Sequence, residues 1–293
     1  MSDNLFLQMV NQRVLLSDGA TGTNLQSRGL EKGHPGEKWV LENPSGIQQL
    51  HVDFVEAGSD VILTCTFGAS EFLLKQHNLF EQQEKLVNTA VLLAKQAVGS
   101  HNVLVAGSMG PLGQLLQPLG LLKEEEAYRA YQRLADILSR AGVNLLVIET
   151  QFDIKEASVA INAAKAVTTL PIVCSFSFDR GTRTMMGVKP DTFAKEITAL
   201  GIQAIGINCG KSIPQNLEVL STVVENTELP VWFKPNAGLP QVDTNGNTIY
   251  TTAPKEMAQM ALNAKQIGAR IIGGCCGTTP QHLQAIAEAM KSS

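Results

Sequence analysis

The stretch Ala141-Gly142-Val143-Asn144-Leu145-Leu146-Val147-Ile148-Glu149-Thr150 carries the pattern that decides the fold. A helical segment stops on a glycine, an unbroken apolar run follows at once, and the run ends on polar side chains. An apolar run without alternation is how a strand reads when both faces are covered, as in a parallel sheet flanked by helices. Glycine at the preceding helix end supplies the left-handed residue that terminates a helix. The same punctuation recurs at Ala57-Gly58, Leu200-Gly201 and Ile267-Gly268.

Working outward, eight such runs appear: Val14–Ser17, Asp60–Thr64, Val103–Gly107, Leu145–Glu149, Pro171–Phe176, Ala204–Asn208, Pro230–Lys234 and Ala269–Gly273. Between them lie segments of helical period, over Ser45–Ala57, Phe80–Val98, Glu124–Ala141, Asp153–Val167, Pro190–Leu200, Ser212–Val224, Pro254–Ile267 and Pro280–Met290. Proline, serine or acidic residues near several starts suit a first helical turn, with Ser45 a candidate cap. Eight alternating strand–helix units predict a (β/α)8 TIM barrel, with a doubly wound open sheet as the alternative. A further helix over Asn4–Gln12 is expected under the barrel floor. No linker or compositional break divides the chain, so residues 1–293 are expected to form one domain.

Composition narrows the function. The chain has 293 residues, 23 Lys+Arg against 27 Asp+Glu, and a formal net charge of −4, which gives no general basic field for nucleic acid. A start of Met1-Ser2-Asp3-Asn4 lacks the basic and apolar regions of a secretory leader. The uncharged stretch Val103–Leu122 contains Pro111 and Pro118 and is rejected as a membrane span. Five cysteines in a long chain do not suggest a secreted disulfide framework. A cytoplasmic protein with no nucleic-acid or membrane partner is the expectation.

In such a barrel the chemistry lies at the C-terminal strand ends. Those ends read Asp18-Gly19-Ala20-Thr21, Thr64-Cys65-Thr66-Phe67, Glu149-Thr150, Asn208-Cys209-Gly210, Lys234-Pro235-Asn236 and Gly273-Gly274-Cys275-Cys276-Gly277. Adjacent cysteines in a regular strand would face opposite ways, but the flanking glycines let the backbone leave the extended form. Cys209, Cys275 and Cys276 then make a three-sulfur set suited to zinc, with an open fourth position for catalysis. A vicinal disulfide is the competing use of the pair, and Cys65 and Cys174 read as small buried apolar residues. Lys234 reads as a salt-bridged barrel lysine, with a Schiff-base aldolase as the alternative. A thiol or zinc sensor with four protein ligands is a further, non-catalytic alternative. The segments Thr23–Asn43 and Ala237–Thr252 are expected to be mobile lids, the second turning at Asn245-Gly246.

With Gly273–Gly277 and Asn208-Cys209 in place, the sequence resembles the homocysteine S-methyltransferase family over essentially its whole length. Thr66-Phe67-Gly68-Ala69 and Pro235-Asn236-Ala237-Gly238-Leu239-Pro240 bring it nearest to the homocysteine-binding module of cobalamin-dependent methionine synthases. Cys65 departs from that module, which often has Asn there. The resemblance implies that Cys209, Cys275 and Cys276 hold Zn2+ and that homocysteine is methylated to methionine through its thiol. It implies that Asp18 and Glu149 hold the substrate ammonium and the Gly19-Ala20-Thr21 turn its carboxylate. Asn236 would fill the zinc position without substrate, a turn role being its alternative. The implied donor is methylcobalamin on a partner corrinoid protein, with an onium donor (S-methylmethionine, S-adenosylmethionine or a betaine) as the alternative.

Overall fold

A computed structural model describes residues 4–243 and 248–292. The barrel strands are β1 Leu15–Leu16, β2 Val61–Leu63, β3 Leu104–Met109, β4 Leu145–Gln151, β5 Ile172–Phe176, β6 Ala204–Cys209, β7 Val231–Pro235 and β8 Ala269–Ile272. They hydrogen-bond in the order β1-β8-β7-β6-β5-β4-β3-β2, every pair parallel. The ring closes between its first and last members. Ser17 bridges Val61, Asp60 N donates to Leu16 O at 2.7 Å, and Asp18 N donates to Val61 O at 3.0 Å. All eight runs of the sequence are strands, and the open-sheet alternative falls.

The outer helices are α1 Pro44–Glu56, α2 Gln83–Val98, α3 Glu124–Ala141, α4 Ile154–Lys165, α5 Pro190–Thr198, α6 Ile213–Val224, α7 Pro254–Ile267 and α8 Pro280–Lys291. Their apolar stripes pack on the outward strand residues as one core, from Leu16 and Ile62 round to Phe233 and Ile272. Pro44 occupies the first turn of α1, and the cap is Asn43, whose side chain accepts from Gly46 N, in place of the expected Ser45. Gly142 ends α3 at φ 82° and ψ 46°, the left-handed cap that its position suggested.

A second core fills the barrel. Leu15, Val61, Leu63, Leu104, Ala106, Leu145, Val147, Val173, Ala204, Trp232 and Ile271 meet there, and the helix Leu5–Gln12 plugs the floor with Phe6, Met9 and Val10. The period of two then dictates the upper interior. Two residues beyond Val147, Val173, Ala106 and Trp232 stand Glu149, Ser175, Ser108 and Lys234. The strands therefore change from apolar to polar on the same face as they rise towards the mouth.

The segment expected as a first mobile lid carries two helices, Thr21–Ser27 and Gly36–Glu42, with Leu25, Leu30 and Val40 buried in the core. It is a packed wall of the mouth. In the second, Gln241–Val242 pairs antiparallel with Thr248–Ile249, and Asn245-Gly246 lies outside the described residues. No helix among the described residues is long and apolar enough to cross a membrane.

Candidate metal centre

The sulfurs of Cys209, Cys275 and Cys276 all lie within 4.8 Å of one another. Cys209 and Cys275 are 2.9 Å apart at Sγ, as free thiols. Three sulfurs held at about 2.3 Å around a tetrahedral ion stand roughly 3.8 Å apart, so small adjustments of this set would accommodate zinc. The backbone earns the convergence in two unusual turns. Cys209 adopts φ 58°, turning its sulfur inward at the end of β6. Cys275 and Cys276 follow β8 in a turn, with Cys275 N donating to Pro235 O at 2.8 Å and Thr278 N to Cys275 O at 3.0 Å. Gly273 is required there, because a Cβ would stand 2.7 Å from Asp18 O. Gly277 has φ 81° and lies directly under the Tyr250 ring.

Asn236 braces both turns. Its Nδ2 donates to Gly210 O at 2.8 Å, and its Oδ1 accepts from Cys276 N at 3.0 Å. Both polar atoms of its side chain are thus engaged by backbone.

The three thiols divide one ionisation among them. Hydrogen bonds from Cys209 and Cys275, with a further one from Tyr250, pull Cys276 well below the usual thiol range against the cost of burial. Cys209 moves up, through its hydrogen bonds to the other two sulfurs and through burial. Such a cluster loses its first proton readily and its others reluctantly, which is the electrostatics of a site that wants a cation.

The sulfurs sit at one side of a cavity of about 530 Å³ at the barrel mouth. Glu149, Thr150, Ser108, Lys234 and the 19–23 turn line it with the sulfurs. Glu37, Cys65, Phe67, Leu73, Leu74 and His77 line it too. Glu149 accepts from Ser108 Oγ at 2.5 Å. Burial raises its pKa to about 7, against the opposing pull of Lys234 and the Ser108 hydroxyl. Lys234 is 4% exposed, and its Nζ lies 2.6 Å from Asp18 Oδ1. Burial opposes its charge, but Asp18 and Glu149 outweigh that and hold its pKa up. A protonated, paired lysine is a poor nucleophile, so the arrangement speaks against a Schiff base.

Asp18 is itself buried beneath the cavity. Its other oxygen accepts from Leu63 N at 2.8 Å, and Ser17 Oγ donates to Oδ1 at 3.2 Å. Of the two carboxylates expected to face the substrate, Glu149 lines the cavity directly and Asp18 reaches it through Lys234. Gly19, Ala20 and Thr21 line the cavity as the helix Thr21–Ser27 begins, and that helix has no side-chain cap. Cys174 is fully buried in the outer core, away from the cluster, and Cys65 lines the cavity without joining the clustered sulfurs.

Three participants escaped the sequence reading. Glu37 lies in the first turn of a short helix and accepts from Gly68 N at 2.5 Å, while burial pushes its pKa up. Tyr250 covers Gly277 and donates to Cys276. Thr150 takes φ 60° beside the sulfurs. None has a local signal: a lone Glu, Tyr or Thr in the sequence looks like any surface residue.

Comparison with known proteins matches this architecture. The family model described as homocysteine S-methyltransferase fits residues 15–290. Methionine synthases of Mycobacterium leprae (strain TN) and Mycobacterium tuberculosis (strain ATCC 25618 / H37Rv) are each 28% identical over 98% of this chain. The chain spans only 25% of their length. The metallated form of the homocysteine methyltransferase MmuM from Escherichia coli superposes with a TM-score of 0.82 at 25% identity, covering 98% of this chain and 99% of that one. Its apo form gives a TM-score of 0.76 at the same identity, covering 98% of this chain and 100% of that one. With the barrel, the three converging cysteines and a match over nearly all of its length, the chain belongs to the homocysteine S-methyltransferase family.

Proposed function

We propose that this chain methylates the thiol of homocysteine to give methionine, using zinc held by Cys209, Cys275 and Cys276, with the methyl group brought by a partner corrinoid protein. The observation that carries the reading is the meeting of three sulfurs with Glu149, Lys234 and the Gly19-Ala20-Thr21 turn in one cavity. A free thiol is roughly a few per cent ionised at neutral pH, so an acceptor of this kind needs activation. Bound zinc would supply it, since a coordinated thiol is deprotonated outright.

The chain's own residues do the rest. Glu149 takes the substrate ammonium, and the charge it meets there favours its ionised form. Backbone N–H groups of the Gly19-Ala20-Thr21 turn take the carboxylate. Asp18 fixes Lys234 and so sets the charge balance around Glu149. Phe67 and the wall at Gly36–Glu42 narrow the mouth and restrict water. Holding both ends of the amino acid aligns its sulfur for attack on the methyl group. A zinc role for Asn236 without substrate would use the second lone pair of Oδ1, the first accepting from Cys276 N.

The donor assignment is supported by the rim. Among the described residues, ten large apolar side chains are exposed, and eight of them stand on segments that follow the C-terminal ends of barrel strands: Phe67, Leu115, Leu119, Leu121, Met185, Leu239, Val242 and Ile249. Such a rim suits docking of a protein that carries its reagent. A resident cover would instead close the cavity. The test supplies homocysteine and zinc-loaded protein with either a methylcobalamin-charged corrinoid protein or an onium donor. Methionine from the first is expected. Methionine from S-methylmethionine, S-adenosylmethionine or a betaine alone would keep the acceptor and overturn the donor.

A further inference from the structure

At the end of β6, Asn208 joins two parts of the site that the reaction must keep in register. Its side chain is 3% exposed. One amide atom meets the backbone N–H of Thr150 at 2.9 Å and the Ser175 hydroxyl at 2.6 Å. A backbone N–H can only donate, so that atom is the carbonyl oxygen and the orientation of the amide is settled. The amide nitrogen therefore faces the other way. It lies 2.7 Å from Thr150 Oγ1, 3.3 Å from Cys209 Sγ and 3.9 Å from Cys275 Sγ. With two hydrogens it can serve the hydroxyl with one and the sulfurs with the other.

The partner on the other side is strained. Thr150 sits at φ 60°, a left-handed conformation that β-branched residues rarely adopt and that persists only where surrounding bonds impose it. Asn208 supplies bonds to both its backbone N–H and its hydroxyl. Thr150 directly follows Glu149, so the same amide that touches the sulfurs also holds the irregular stretch of β4 that presents the carboxylate.

We propose that Asn208 is a positioning residue for the metal and substrate together. Its Nδ2 donates to the cysteine sulfurs, orienting them and drawing off part of their charge. Its Oδ1 fixes the irregular end of β4 at Glu149–Thr150, so that the sulfur cluster and the ammonium-binding carboxylate keep one spacing. The assignment rests on the zinc reading above. A donor to an ionised ligand is a charge-assisted bond, and partners of this kind change metal affinity by about 10- to 100-fold.

Asn208→Asp separates this role from mere bracing. A carboxylate keeps the acceptor for Thr150 N and Ser175 Oγ but places an oxygen, not an N–H, against the sulfurs. Chelator competition is expected to show zinc affinity of the folded variant lowered by about 10- to 100-fold. Unchanged zinc affinity in a folded Asn208→Asp would overturn the proposal. Should the variant not fold, the unaltered protein loaded with 113Cd decides. NMR is expected to show an Asn208 side-chain amide proton coupled to the metal through the sulfur, and an Asn208 amide with no such coupling would overturn the assignment. If the unaltered protein binds neither zinc nor cadmium, the metal reading itself fails and takes this proposal with it; tight binding unaffected by Asn208→Asp fails this proposal alone.

Discussion

The lower and upper halves of the barrel interior are built from the same strands and differ in almost everything else. Below, Leu15, Val61, Leu104, Leu145, Val173 and Trp232 close on Phe6, Met9 and Val10 of the floor helix, with no charged side chain in that cluster. Above, one pleat further along, stand Ser17, Ser108, Glu149, Ser175 and Lys234, with Asn208 two pleats beyond Ala204, joined by Asp18 and three cysteines. The lower half gains from burial at about 25 cal/mol per Å² of apolar surface. The upper half pays for burying charge and recovers part of that cost only through pairing, as Lys234 does with Asp18. The contrast teaches that two residues along a strand suffice to pass from stability to chemistry, so substitutions in the two halves should fail in different assays.

The largest separation should come from the cysteines. Cys209→Ala, Cys275→Ala or Cys276→Ala each removes one of the sulfur ligands, costing several of the roughly 10–16 kcal/mol typical of protein zinc sites. Zinc content by mass spectrometry should fall to background and methionine formation should stop, while Cys174→Ala keeps both. Metal retained at full occupancy in any of the three would remove that cysteine from the site.

Trp232→Ala tests the lower half. Loss of this buried ring should cost about 3–5 kcal/mol in denaturant unfolding. The folded fraction should still bind zinc normally, and weakened zinc affinity would show that the halves are not separable. Lys234→Met crosses the boundary, since it leaves Asp18 as an unpaired buried charge. It should destabilise by about 3 kcal/mol, and substitution of both residues by apolar ones should recover much of the loss. Borohydride with a carbonyl substrate should trap nothing on Lys234.

The smallest effect is a pH profile. Glu149 titrates near 7 because burial raises it from 4.5. Methionine carries no free thiol, so the pH dependence of its binding is free of thiol ionisation. Its affinity should rise by about tenfold from pH 6 to pH 8 as Glu149 ionises, and Glu149→Gln should flatten the profile. Stability of the unliganded protein runs the other way. Between about 4.5 and 7 the native state keeps a proton that the unfolded chain has lost, so stability from this group falls as pH rises through that window. A rise there would contradict the burial that sets the shift.

Much of the lower half was legible in the sequence, because unbroken apolar runs and glycine stops are local signals. The strand runs lie within about two residues of the observed elements, and α3 and α7 match at both ends. The short helices Thr21–Ser27, Gly36–Glu42 and Glu71–Gln76 were not legible, since six or seven residues are too few to display a period. In the upper half the cysteines stood out through their glycines and their strand-end positions. Pairings made across the barrel did not. Lys234 and Asp18 are 216 residues apart, and nothing local in Asn208 announces that it would meet Thr150. Thr150 itself is invisible in this respect, because its left-handed backbone is imposed from outside and glycine is not there to mark it.

The most direct test of the central claim is zinc-edge X-ray absorption on protein prepared under reducing conditions, recorded without and with homocysteine. The account predicts one zinc per chain, bound by three sulfurs alone and by four once homocysteine is added. No zinc, or four sulfurs already present before the substrate, would contradict it.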